Sequence, residues 1–281
     1  MGVEFYLEEN CISPERLAHG LSLRADDILL ITAPVADAAG HGESELELIL
    51  LTDDDGFAER ASRLAPERRA RQRLGRCGVL YERVGAADLE VHVLLRGTVD
   101  GLLSELHRAH PRNGDDAPPG VGEHPGVDHD LAVELLQRLR KGRALVNHEA
   151  FEEMRSRMCP RRLAAWGVHQ ALARSGDAMM GTLSSLQAND VENAYLKLSD
   201  LYDALGDAVL YSHGQSADRW KWRLPKLRAF GPTPFADRYL EVKLPRRPPT
   251  EPLGAFVERH LTAANDVVER LRREAAIPVP A

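Results

Sequence analysis

The chain has 281 residues, with 36 Lys+Arg against 43 Asp+Glu and a formal net charge of −7. Hydrophobic residues make up 43% and charged residues 28%, enough apolar side chain to bury a core, so disorder as the main state is excluded. The acidic balance gives no electrostatic footprint for non-specific nucleic-acid binding. Cys11, Cys77 and Cys159 are odd in number and far apart, which argues against a disulfide framework or a zinc ribbon. Met1 to Asn10 carries Glu4, Glu8 and Glu9, unlike the basic start of a signal peptide. No stretch approaches the roughly 20 apolar residues of a membrane helix. A cytoplasmic protein without membrane contact is the expectation.

Ile28 to Thr32 reads as a buried strand. Glu45 to Leu51 begins in strict alternation, ends as an apolar run, and stops at the turn residues Asp53-Asp54-Asp55-Gly56. Phe57 to Leu74 has helical spacing. Gly78 to Val84 and Asp88 to Leu95 are further strands, and Val99 to His110 is a helix. Pro111 to Asp128 is rich in Pro and Gly, as a loop or linker would be. Beyond it, 130–141, 147–158, 161–186, 190–212 and 253–275 carry apolar residues at three- and four-residue spacing. Asn147 and Asp190 are expected as N-caps. The fold class is therefore α+β: a mixed sheet with helices over residues 1–110, a linker over 111–128, and a helical bundle over 129–281.

The acids of the strands carry the most information. On a strand, Glu45 and Glu47 point to one face while Leu46 and Leu48 point to the other, and Asp88, Glu90 and His92 share a face in the same way. If the two strands are neighbours, Glu45, Glu47 and Glu90 converge. Clustered carboxylates repel unless a cation sits among them, and hard oxygens prefer Mg²⁺ or Mn²⁺. Alternating acids are also how an ordinary half-exposed strand reads. His92 could orient a substrate or act as a base; a hydrogen-bonded strand histidine is the more ordinary reading.

The strand Ile28–Thr32 is followed by Ala33-Pro34, three residues, Ala38, five residues, and Ser44-Glu45-Leu46-Glu47. This spacing resembles the signature of the nucleotidyltransferase fold of the DNA polymerase β superfamily, particularly its aminoglycoside-type nucleotidyltransferases. There a strand leads into Gly-Ser, then Gly, then Ser-Asp-x-Asp on the next strand. The resemblance places Glu45 and Glu47 as metal ligands, Glu90 as the third carboxylate or general base, and Ser44 on the nucleotide side. The segment from Asn193 through Tyr211 to Trp220-Lys221-Trp222-Arg223-Leu224 resembles the helical domain that often follows this fold. It implies that Lys221 or Arg223 meets a phosphate. Ala33-Pro34 departs from Gly-Ser: proline has no N–H to offer a phosphate. Glutamate replaces both aspartates and adds a methylene to each ligand.

What the resemblance implies is a metal-dependent nucleotidyltransferase that uses Mg²⁺ or Mn²⁺, takes an NTP as co-substrate and moves an NMP to a small-molecule acceptor. Nucleic acid and membrane are not expected as partners, and a homodimer stays open. The alternatives are a catalytically degenerate protein that binds a ligand or partner, and a cleft repurposed for another reaction. Elsewhere, Asp200, Asp203 and Asp207 read as a solvated acidic helix face, with recognition of a cationic substrate as the rarer option. Met154, Met158, Met179 and Met180 read as core filler. His107, His110, His124, Asp128 and His129 match no metal-site spacing.

Overall fold

The computed structural model describes residues 13–32, 46–53, 56, 73–74, 77–84, 87–108, 129–215, 220–244 and 251–275. The chain divides into two compact units, with the boundary at 159/160.

The first unit is built on a six-stranded sheet. Its strands are β1 (Ile28–Ile31), β2 (Leu46–Thr52), β3 (Arg73–Leu74), β4 (Cys77–Val84), β5 (Ala87–Leu95) and β6 (Arg143–Val146). They lie in the order β3-β4-β5-β2-β1-β6. Among the described strands, only β2 and β5 run parallel; the other pairs are antiparallel. Helix α1 (Pro14–Gly20) precedes β1 and is capped by the Ser13 hydroxyl, which accepts from the Arg16 N–H at 3.2 Å. Helix α2 (Arg96–Arg108) follows β5, α3 (His129–Lys141) precedes β6, and α4 (His148–Ser156) follows it.

Strand β1 is fully buried along its length, which explains why it reads as a continuous apolar run rather than an alternation. Its Leu29 and Ile31 join Leu48, Leu50, Leu89, Val91 and Val93 on one face, packed with Leu17 and Leu21. The strand period of two sends Glu47, Ile49, Glu90 and His92 to the opposite face.

The expected strands appear in place. Two differences have physical reasons. Residues 73–74 were expected to end a helix, but they pair with Cys77 and Gly78 as an edge strand. Residues 129–159 were expected in the helical domain, but β6 hydrogen-bonds to β1 and carries them into the sheet's unit. Asn147 sits at the start of α4 in left-handed backbone and does not cap it. Its side-chain amide instead donates to the Ala25 carbonyl at 3.1 Å, tying the β6–α4 junction to the loop before β1.

The second unit is helical: α5 (Pro160–Gln187), α6 (Val191–Ser212), α7 (Trp220–Phe230), α8 (Thr233–Lys243) and α9 (Leu253–Ala275). The long α5 and α6 form a hairpin. Asn189 takes the left-handed backbone that closes α5, with the Asp190 N–H reaching the Ser185 carbonyl at 2.9 Å. Asp190 then caps α6 by accepting from the Asn193 N–H at 3.1 Å. Close approach of the two helices requires Gly167, where an added Cβ would lie 2.6 Å from the Tyr211 ring. Met154 and Met158 are buried, whereas Met180 is 63% exposed and is not core. Among the described residues, no helix is long and apolar enough to cross a membrane.

Candidate metal centre

Glu47 lies near the start of β2, and Glu90 is its direct partner on the parallel strand β5. Direct partners point the same way, so two carboxylates stand side by side. Like charges in that position repel. The Glu47 backbone is fixed on its other side as well: its carbonyl accepts from the Thr32 N–H at 3.1 Å. Both acids therefore project from central strands whose register leaves little freedom.

His92, two residues beyond Glu90, points into the same space. Its Nε2 is 2.9 Å from Glu90 Oε1 and 3.3 Å from Glu47 Oε1. Neither approach has hydrogen-bond geometry, and Nε2 is a buried nitrogen with no hydrogen-bond partner among the described residues. One ligand atom from each of Glu47, Glu90 and His92 lies within 4.8 Å of the others. Glu47 is 2% exposed, Glu90 15% and His92 20%.

A buried carboxylate needs a partner, because desolvation penalises its charge. For Glu47 that partner is Arg138 on α3. One Arg138 nitrogen donates to Glu47 Oε1, and another donates to Glu134 one turn earlier on the same helix. The fork geometry of the guanidinium suits this double engagement. Glu47, Glu90 and Glu134 thus bring three carboxylates, and Arg138 one guanidinium, to this part of the first unit.

These residues fit a divalent cation. The acids supply hard oxygens, and His92 supplies a nitrogen without a hydrogen bond. One nitrogen among the donors favours Mn²⁺ or Zn²⁺ over Mg²⁺.

Of the residues expected at the site, Glu47 and Glu90 are brought together. Glu45 and Ser44, and the Ala33-Pro34 turn, lie outside the described residues. His92, Arg138 and Glu134 were not assigned to the site. His92 was visible as sharing a strand face with Glu90; Arg138 had only an i,i+4 pairing with Glu134 to mark it.

In the second unit, Lys221 belongs to α7, but its side chain lies outside the described residues. Arg223 is engaged within its own unit: Nε donates to Asp207 at 2.7 Å and Nη1 to Asp203 at 2.8 Å. Asp207 also accepts from Arg174 at 3.1 Å. Asp203 accepts from the Tyr239 hydroxyl at 2.9 Å and from Lys243 at 2.6 Å. The face read as solvated acid is thus an ion-pair network joining α5, α6, α7 and α8; only Asp200 is well exposed. Burial pushes the Asp207 carboxyl above its ordinary value against the pull of Arg223 and Arg174. It also pushes the Tyr239 hydroxyl up to about 12.

A solved structure, that of a nucleotidyltransferase-like protein from Exiguobacterium sibiricum 255-15, is similar over 98% of this chain and 77% of its own, with a TM-score of 0.50 and 9% identity. The chain has a nucleotidyltransferase-like fold. No protein-family model matches the sequence, and no curated protein does either. At that identity the likeness concerns the architecture alone. The Glu47–Glu90–His92 cluster sits on β2 and β5 of the sheet.

Proposed function

We propose that the protein is a metal-dependent nucleotidyltransferase that moves an NMP from an NTP to a small-molecule acceptor. The observation that carries this reading is the convergence of Glu47, Glu90 and His92 on adjacent parallel strands, with His92 Nε2 buried and without a hydrogen bond. Glu47, Glu90 and His92 would hold a divalent cation, Mn²⁺ fitting the mixed donor set better than Mg²⁺. Bound there, the cation supplies positive charge for phosphate oxygens.

The remaining work falls to the chain's own residues. Glu90 is more exposed than Glu47, so it is the carboxylate placed to accept the acceptor's hydroxyl proton. The acceptor oxygen then bonds to the α-phosphorus as the bond to the pyrophosphate oxygen breaks. Glu47, nearly sealed from solvent, fixes the geometry rather than moving a proton. Ser44 contacts the nucleotide on this reading. Arg223, held by two carboxylates, positions α7. A small acceptor fits the chain's net charge of −7, which does not favour a polyanionic polymer.

Arg138 favours a second reading. It already gives Glu47 a positive partner, and Pro34 has no N–H to offer a phosphate. The protein would then be a non-catalytic ligand-binding member of the fold.

Thermal shift and pyrophosphate release separate the two. The enzyme reading predicts that Mn²⁺ with one of the four NTPs raises the melting temperature. It also predicts that pyrophosphate appears with a hydroxyl-bearing acceptor, and that Glu90→Gln abolishes it. No shift with any NTP, and no pyrophosphate with or without Glu90, supports the binding protein.

A further inference from the structure

We infer that Arg138 is a resident counter-ion of the metal centre, which a divalent cation must displace from Glu47 in order to bind. The inference rests on the cation reading above and concerns how the site is regulated rather than what occupies it.

Three observations lead there. Glu47 offers a single oxygen, Oε1, to both Arg138 and His92. That oxygen is 3.3 Å from His92 Nε2, which is itself 2.9 Å from Glu90 Oε1, so a cation taking this oxygen together with His92 would compete with the Arg138 guanidinium for it. A guanidinium and a divalent ion cannot both occupy so small a space without strong repulsion. Arg138 also has an alternative carboxylate: its second nitrogen donates to Glu134 on the same helix. On leaving Glu47, Arg138 keeps a charged partner within its own helix, which lowers the cost of displacement. Glu47 is nearly sealed from water, so its charge is costly without a positive partner. Arg138 fills that need while the ion is absent.

Arg138 is therefore a positioning residue that sets cation affinity. Removing it has opposite effects on two measurable properties. The metal-free protein becomes less stable, because Glu47 is left buried beside Glu90 without its guanidinium. Cation affinity rises, because the competitor is gone and the cluster is more negative. An arginine with a purely structural role would lower stability and leave affinity unchanged or weaker.

The test is calorimetric titration of the full chain with Mn²⁺, alongside melting temperature with and without the ion, for the wild type, Arg138→Met and Arg138→Lys. Arg138→Met should bind Mn²⁺ at least about tenfold more tightly than the wild type. It should melt lower without Mn²⁺ and gain more on adding it. Arg138→Lys keeps the charge but cannot fork between Glu47 and Glu134, so it should also bind more tightly, by a smaller factor. It is the informative variant if Arg138→Met does not fold. Wild type silent and either variant binding supports the inference. Wild type binding and neither variant binding more tightly overturns it while leaving the proposed function standing. No binding by any of the three overturns both.

Discussion

Glu47 and Glu90 are direct partners across the parallel β2–β5 pair, two carboxylates side by side in the sheet. A sheet gains nothing from like charges in that arrangement. It becomes favourable only with positive charge between or beside them. Arg138 supplies one such charge and His92 Nε2 turns a ring nitrogen toward the same space. One ligand atom from each of Glu47, Glu90 and His92 lies within 4.8 Å of the others, an arrangement that could hold a cation.

The two acids should respond differently to neutralisation. Glu47→Gln removes the buried carboxylate that Arg138 grips and should cost about 2 kcal/mol, because a half-buried guanidinium loses an ionic partner. Glu90→Gln removes a repelling neighbour from a more open position and should cost less, or stabilise the protein. Urea unfolding without added metal measures both. Equal losses would mean that Arg138 and Glu47 are not the dominant pair.

Helix α5 offers a matched pair of glycines. An alanine Cβ at Gly167 would meet the Tyr211 ring at 2.6 Å, whereas at Gly176 it meets nothing within 4 Å. Gly167→Ala should destabilise by about 1–3 kcal/mol through overpacking. Gly176→Ala should stabilise by about 0.5–1 kcal/mol through helix propensity. Thermal melts of the two variants check the close crossing of α5 and α6; similar effects at both sites would contradict it.

His260 gives the second unit a pH signature. It is 1% exposed, its Nδ1 meets the Tyr202 hydroxyl at 3.1 Å, and Nε2 lies 3.5 Å from Glu241. Burial, helped by Arg259, holds its pKa below the ordinary histidine value, with Glu241 pulling the other way. The unfolded chain then binds more protons than the folded one as pH falls below about 6.5. Stability should therefore drop on acidification from about pH 6.5 until the folded histidine itself protonates, by at most about 1.4 kcal/mol per pH unit from this group. His260→Gln, though less stable overall, should lose that part of the slope in urea melts between pH 7 and 5. An unchanged slope would show that another group is responsible.

Much of the fold was legible because the strands advertise themselves. Ile28 to Ile31 is apolar throughout, as a strand buried on both faces must be. The alternation in Leu46–Leu48 and Asp88–Val93 put Glu47 and Glu90 on one face each. What periodicity could not supply was the pairing of β2 with β5, and without that register the two acids remain separate observations. Arg138 was illegible for a related reason. It lies 91 positions from Glu47, on a helix whose apolar spacing matches the bundle helices after it. The four residues of β6, which draw that helix into the sheet's unit, are too short and too closely flanked by helices to stand out. Asp203 and Asp207 misled in the opposite direction: their spacing marks one helix face, and says nothing of the cations that other helices bring to it.

The central claim is that Glu47, Glu90 and His92 share one divalent ion. Crystals grown with Mn²⁺, with anomalous data collected at its absorption edge, test it most directly. The account predicts one anomalous peak bonded to a carboxylate oxygen of Glu47, one of Glu90 and Nε2 of His92, each at about 2.2 Å, with Arg138 turned toward Glu134. A cluster with no peak, and Arg138 still on Glu47 at saturating Mn²⁺, would contradict it.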